Sequence, residues 1–104
     1  MSSWIWAARL DDLTEDRVNM VTVGSRTLAL YLIDSKVHAT SGHCPHEGQC
    51  LDSGFVEQGT VECALHYAVF DIGTGALISG PTTGSLPVYP VRVDGDDVFV
   101  CVVP

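Results

Sequence analysis

Two short motifs each pair a cysteine with a histidine, and they determine what chemistry the chain can perform. Cys44 and His46 form a C-x-H step, and after sixteen intervening residues Cys63 and His66 form a C-x-x-H step. Each motif offers one thiolate and one imidazole, which are both good ligands for transition metals. The sequence therefore predicts a metal centre held by two loops, with one Cys and one His from each.

The residues around these motifs follow a pattern of their own. The first motif continues as C-P-H-x-G-x-x-L from Cys44 to Leu51, and the second is followed by F-D-x-x-T-G from Phe70 to Gly75. A later Gly80-Pro81 step is suited to a third loop over the metal. With these features the chain resembles the Rieske-type 2Fe-2S ferredoxins, and within them the ferredoxin components of bacterial aromatic-ring-hydroxylating dioxygenase systems. The resemblance covers nearly the whole chain.

The resemblance implies one Rieske-type 2Fe-2S cluster and assigns its ligands. Cys44 and Cys63 would bind one iron, and His46 and His66 would bind the other through Nδ1. It also implies a one-electron carrier and not an enzyme. The implied donor is an NAD(P)H-dependent flavoprotein reductase, and the implied acceptor is a terminal aromatic-ring oxygenase.

Two other interpretations of the motifs remain open. Two Cys and two His also suit a structural zinc ion, which would make the chain a zinc-binding interaction module. The spacing differs from that of a ββα finger, whose His pair lies on a helix, because here the second motif lies between two strand-like segments. The other alternative keeps the iron and makes the chain the small subunit of an assimilatory nitrite reductase.

The remaining cysteines are expected to be small buried side chains. Cys50 follows the first motif, and Cys101 lies in an apolar run. In Rieske proteins of respiratory complexes, an extra Cys in each ligand loop forms a bracing disulfide. Here the second loop has Ala64 and Leu65 between its ligands, so no such disulfide is expected.

Two further positions bear on the reduction potential of such a cluster. High-potential relatives have hydroxyl side chains two and four residues after the second His. Ala68 and Phe70 occupy these positions, and neither side chain can donate a hydrogen bond. The sequence therefore predicts a potential near the lower end of the Rieske range.

The composition indicates an acidic globular protein. The 104 residues carry 13 acidic and 5 basic side chains, for a formal net charge of -8. Such a surface disfavours nucleic acid and anionic membranes and suits docking on basic patches. There is no apolar run long enough to cross a bilayer, and no basic, apolar leader. We expect a cytoplasmic monomer with no nucleic-acid or membrane partner.

Short strand-like segments separated by turn residues predict an all-β fold. The expected architecture is a Rieske-type antiparallel β-sandwich or partly open barrel. We expect a single domain over residues 1–104, with an inserted cluster-binding subdomain at about 43–75. A turn or single helical turn is predicted at 10–16. The predicted strands are 4–8, 17–23, 26–33, 36–40, 61–63, 68–72, 88–93 and 98–103. Turn residues at Gly24-Ser25 and at Asp34-Ser35 predict tight turns between the second, third and fourth of them.

Overall fold

The computed structural model describes residues 4–43, 51, 54–63, 68–80 and 85–102. This part of the chain is built from strands, with one short 3-10 helix at Leu10–Asp12. The predicted all-β class is confirmed. The strands are β1 (Trp4–Arg9), β2 (Asn19–Val23), β3 (Arg26–Ile33), β4 (Lys36–Ser41), β5 (Phe55–Glu57), β6 (Thr60–Glu62), β7 (Val69–Asp71), β8 (Leu77–Ser79), β9 (Val88–Tyr89), β10 (Val91–Asp94) and β11 (Asp97–Cys101).

The described strands form three antiparallel sheets. The terminal sheet has the order β1-β11-β10, the central sheet β2-β3-β4-β9, and the distal sheet β5-β6-β7-β8. Two-residue turns set the register of the central sheet, since Val23 pairs with Arg26 and Ile33 pairs with Lys36. Both hairpins were predicted from turn residues at Gly24-Ser25 and Asp34-Ser35, and both are confirmed.

The central sheet has a buried cluster of side chains on each face. Successive residues of β3 point to opposite faces, as in any strand. Leu28 and Leu30 belong to a cluster shared with the terminal sheet, which contributes Val98 and Val100. Ala29 and Tyr31 belong to the cluster shared with the distal sheet, which contributes Val61 and Phe70. The layers therefore stack as terminal, central and distal, in agreement with the predicted sandwich.

The predicted strand at 88–93 is wrong as a single element. Pro90 divides it, so that β9 pairs with β4 of the central sheet and β10 pairs with β11 of the terminal sheet. Proline has no N–H to donate to a ladder. Its carbonyl instead accepts a hydrogen bond from Cys101 N at 3.0 Å. The proline is thus the point at which the chain crosses from one sheet to another.

The two outer strands of the distal sheet were not predicted from the sequence. Both β5 and β8 have only three residues, and each pairs on one side alone, β5 with β6 and β8 with β7. Phe55 and Ile78 on these strands are largely exposed. Strands this short show too little alternation of apolar and polar residues to be recognised from the sequence. Pairing with the neighbouring strand determines where they form.

Candidate metal centre

The second Cys-His loop begins at a buried cysteine. Cys63 directly follows β6, and its side chain has no exposed surface. Its backbone N–H donates to the carbonyl of Ala68 at 2.8 Å, which closes the hairpin below the loop. Residues 64–67, including His66, lie outside the described residues. The strands β6 and β7 therefore fix both ends of the segment that contains the second predicted histidine.

The first loop is closed in a similar way. Beyond the end of β4, Gly42 N donates to Thr27 O at 3.0 Å, and Leu51 N donates to Gly42 O at 2.8 Å. A Cβ on Gly42 would lie 2.9 Å from the Thr27 carbonyl oxygen, so glycine permits this close approach. Residues 44–50, which include Cys44, His46 and Cys50, lie outside the described residues.

One buried cluster holds the described ends of both loops. Leu51 at the end of the first loop belongs to the same apolar cluster as Cys63 and Ala68 at the ends of the second. All three side chains are fully buried. The fold therefore brings the two loops to one place, as a metal centre shared between them requires. Of the four predicted ligands, only Cys63 lies among the described residues.

The segment after β8 approaches the second loop at a glycine. Gly80 has φ +124°, and a Cβ there would lie 2.5 Å from the Cα of Ala68. Any larger residue would push the chain away from the second loop, so glycine is required here. The predicted third loop begins at this position, and its residues 81–84 lie outside the described residues.

The F-D-x-x-T-G motif forms a tight turn beneath the second loop. Phe70 fills the buried cluster, and Asp71 Oδ2 accepts hydrogen bonds from Thr74 N at 2.9 Å and Thr74 Oγ1 at 2.7 Å. Gly75 N donates to Asp71 O at 2.7 Å, and Gly75 O accepts from Leu86 N at 2.8 Å. The motif thus ties β7 to the segment that leads into β9.

A buried hydroxyl pair lies close to the first loop, and it was not predicted from the sequence. Tyr31 Oη and Thr40 Oγ1 are 2.8 Å apart, and both side chains are fully buried. Burial of the side chain, which disfavours the charged phenolate, raises the pKa of Tyr31 to about 12. The Tyr31 hydroxyl therefore stays protonated across the physiological pH range.

The described residues fit an iron-sulfur centre. Cys63 is a free thiol, and it lies where apolar side chains keep water from its sulfur. Iron-sulfur clusters require thiolate ligands, and exclusion of solvent is one of the ways in which a protein sets their potential. Backbone hydrogen bonds below both loops also hold the described ends of the loops in place.

Cys101 and the two tryptophans lie away from the candidate metal centre, in the terminal sheet. Cys101 is a free, buried cysteine, as predicted. Trp4 and Trp6 lie exposed on the outer face of the terminal sheet. Trp6 Nε1 donates to Asp97 Oδ1 at 3.0 Å, and the Arg92 guanidinium lies 5.0 Å from the Trp4 ring centroid. A membrane-spanning helix, which needs about 20 apolar residues, is not found in the described part of the chain.

Comparison with known proteins identifies the metal. Residues 3–90 match the Rieske [2Fe-2S] domain. The ferredoxin component of the naphthalene 1,2-dioxygenase system of Pseudomonas aeruginosa is 36% identical over 97 residues, which cover 93% of each chain. These matches confirm the predicted cofactor, one Rieske-type 2Fe-2S cluster, and remove the zinc alternative. They also agree with an electron-transfer component rather than an enzyme.

Solved structures of similar sequence have the same fold. The ferredoxin of carbazole 1,9a-dioxygenase from Nocardioides aromaticivorans IC177 is 29% identical, with a TM-score of 0.88 over 94% of this chain and 96% of its own. A chain from a complex of reduced oxygenase and oxidized ferredoxin in carbazole 1,9a-dioxygenase is also 29% identical, with a TM-score of 0.86 over 94% of this chain and 92% of that one.

A nitrite reductase component has a similar fold as well. A putative NADH-dependent nitrite reductase small subunit from Mycobacterium tuberculosis is 26% identical, with a TM-score of 0.85 over 100% of this chain and 98% of that one. Fold similarity alone therefore does not distinguish the ferredoxin of a dioxygenase from the small subunit of a nitrite reductase.

Proposed function

Because this chain belongs to the Rieske [2Fe-2S] family, we propose that the side chains of its two Cys-His motifs hold the cluster. Cys44 and Cys63 bind one iron. His46 and His66 bind the other through Nδ1. The observation that carries this proposal is that the described ends of both motif-bearing loops share one buried cluster, with the Cys63 side chain inside it.

The chain's own residues hold the described ends of both loops in place and bury the Cys63 side chain. When bound, the cluster takes up and releases one electron, with the extra charge favoured on the His-ligated iron. The hydrogen bonds from Cys63 N to Ala68 O and from Leu51 N to Gly42 O hold the loop ends in place. A site that moves little on reduction exchanges electrons quickly, so this rigidity supports a carrier. We propose no bond-breaking chemistry for this protein.

We propose that the donor is an NAD(P)H-dependent flavoprotein reductase and the acceptor a terminal aromatic-ring oxygenase. The support is the ferredoxin component of the naphthalene dioxygenase system, which resembles this chain along 93% of its length. The carbazole 1,9a-dioxygenase structure that contains a ferredoxin with its oxygenase gives further support. We also propose that the protein is a cytoplasmic monomer with one domain over 1–104 and a cluster-binding subdomain at about 43–75.

Electron transfer to candidate acceptors tests this function. The photoreduced protein should transfer electrons rapidly to the terminal oxygenase of a ring-hydroxylating system and slowly to the large subunit of a nitrite reductase. With a net charge of -8, we expect the rate to fall steeply as salt is raised, because the Debye length contracts from about 10 Å at 0.1 M to about 3 Å at 1 M. Stopped-flow absorbance at several ionic strengths measures both effects.

Faster electron transfer to the nitrite reductase subunit than to the oxygenase would favour the nitrite reductase alternative. A rate that is unchanged between low and high salt would show that the acidic surface serves solubility and does not steer docking. Cluster reduction by dithionite in the same preparations is the control, since it needs no protein partner.

The reduction potential provides a second test. Rieske centres span about -150 to +300 mV. The side chains of Ala68 and Phe70 cannot donate hydrogen bonds to a sulfur, so we expect a potential near the lower end of this range. Phe70→Tyr should raise it, because a donor stabilises the extra negative charge of the reduced state. A charge-assisted bond of about 1.5–3 kcal/mol corresponds to about 65–130 mV for one electron.

Protein-film voltammetry on the wild type and two variants decides the matter. Phe99→Tyr is the matched control, because it adds the same hydroxyl to the terminal sheet, on the far side of the central sheet from Phe70. We expect no shift in that variant. A wild-type potential above about +100 mV would contradict the low-potential assignment and the oxygenase role that depends on it.

A further inference from the structure

Tyr31 and Thr40 connect the two sides of the candidate metal centre. Tyr31 is the largest fully buried side chain described, and it shares a cluster with Cys63 and Ala68 at the ends of the second loop. Thr40 lies near the end of β4, four residues before Cys44. Apart from the phenol of Tyr31, it is the only buried side chain among the described residues that carries a polar oxygen or nitrogen. Their hydroxyls meet at 2.8 Å.

The direction of this hydrogen bond follows from its neighbour. Thr40 Oγ1 donates to the carbonyl of Ser41 at 2.9 Å. A hydroxyl has one proton to donate, so the bond between the two side chains is donated by Tyr31. The result is a chain of two hydrogen bonds, from Tyr31 to Thr40 and from Thr40 to Ser41. Ser41 N in turn donates to Pro87 O at 2.9 Å.

Packing alone gives no reason for these hydroxyls. A phenylalanine and a valine would fill the same space, and replacing both partners of a buried hydrogen bond by apolar groups of the same shape can leave stability unchanged. What the hydroxyl pair adds is a single preferred geometry, because each buried hydroxyl is costly unless it is bonded. That geometry relates the end of β4, where the first loop begins, to the cluster that holds Cys63.

We infer that the Tyr31–Thr40 hydrogen bond positions the two ligand loops relative to each other, so that Tyr31 is a positioning residue for the redox centre. The inference rests on the proposed ligands Cys44, His46, Cys63 and His66. Loss of the bond would leave the ligand set complete and would change how the ligands are arranged. The g-values and the reduction potential of the cluster should therefore change, and the protein should lose the cluster faster.

The test uses holoprotein of the wild type and four variants. Tyr31→Phe and Thr40→Val each break the bond, and Thr40→Ser keeps it. Val98→Ala is the control for general destabilisation, because it removes methyl groups from the cluster on the other face of the central sheet. The measurements are the electron paramagnetic resonance g-values of the reduced cluster, the reduction potential, and the rate of cluster loss to an excess of iron chelator.

We expect Tyr31→Phe and Thr40→Val to shift both the g-values and the potential. Tyr31→Phe should lose its cluster about fivefold faster, which corresponds to one typical net hydrogen bond. Thr40→Ser should match the wild type, and Val98→Ala should lower the Tm while keeping wild-type g-values. If Thr40→Val does not fold, Tyr31→Phe and Thr40→Ser still decide the outcome.

Wild-type g-values and reduction potential in Tyr31→Phe would overturn the inference. Shifts of these two quantities in Val98→Ala as large as those in Tyr31→Phe would overturn it as well. The ligand assignment is tested separately by changing the ligands themselves. If a ligand variant changes the signal and Tyr31→Phe does not, the inference fails while the proposed function stands.

Discussion

Replacing Cys63 with serine should abolish the 2Fe-2S cluster, and this is the largest effect that we expect from a single substitution. Cys63 is free, fully buried and located at the closed end of the second loop. A serine hydroxyl is a hard, protonated group near neutral pH and replaces thiolate poorly as an iron ligand. The purified variant should have little visible absorbance and far less than the two irons and two sulfides of the wild type.

Cys101→Ser is the matched control. Cys101 is the other free, buried cysteine described, and it lies in the terminal sheet. We expect that variant to keep its cluster with a modest loss of stability from a buried hydroxyl. His66→Cys should disrupt the cluster or move its electron paramagnetic signal towards the all-cysteine type. An unaltered Rieske signal in Cys63→Ser or in His66→Cys would refute that residue as a ligand.

Gly75→Ala should reduce the free energy of unfolding by about 2–5 kcal/mol, a large part of the 5–15 kcal/mol typical of a domain. Gly75 has φ +78°, and a Cβ there would overlap the backbone carbonyl oxygen of Leu86. The left-handed conformation costs alanine about 1–2 kcal/mol. Overpacking against backbone, which cannot rotate away, adds about 1–3 kcal/mol or more. Thermal unfolding followed by circular dichroism measures the loss.

Gly59→Ala separates these two contributions. Gly59 has nearly the same conformation, φ +77°, but a Cβ there would meet nothing within 4 Å. We therefore expect Gly59→Ala to cost only the conformational part. Equal destabilisation by the two substitutions would mean that steric overlap with Leu86 adds nothing to the cost of Gly75→Ala. The last glycine of the F-D-x-x-T-G motif would then be needed only for its positive φ.

Local signals in the sequence predicted those parts of the fold that local chemistry specifies. The turns at Gly24-Ser25 and Asp34-Ser35 could be located because two-residue turns need residues that accept positive φ, and Gly24, Asp34 and Ser35 all adopt it. The division at Pro90 was missed because apolar residues continue on both sides of it. Only the two pairing partners, β4 and β11, reveal that the strand changes sheets.

For the candidate site, the motif spacing led to the four proposed ligands, because two Cys-His pairs in nearby loops suit a metal centre and little else. Of these four residues the structure describes Cys63. The Tyr31–Thr40 pair could not be predicted, since Leu28 to Leu32 are apolar or aromatic on both faces of β3 and their pattern does not mark one hydroxyl as bonded. Likewise, the structural role of Asp71 depends on its contacts with Thr74, which the motif letters alone do not describe.

The pairing of β1 with β11 has a consequence for the order in which the protein forms during synthesis. Trp4 pairs with Cys101, so this ladder joins positions separated by nearly the whole chain, and β11 is the middle strand of its sheet. The β2–β3 and β3–β4 hairpins need only residues 19–41 and can form early. The terminal sheet cannot form until β11 has emerged from the ribosome. Until then one face of the central sheet lacks its cover of Val98 and Val100. A nascent chain that pauses shortly before this point exposes an apolar surface, and it is there that the protein is most susceptible to aggregation and most in need of a chaperone.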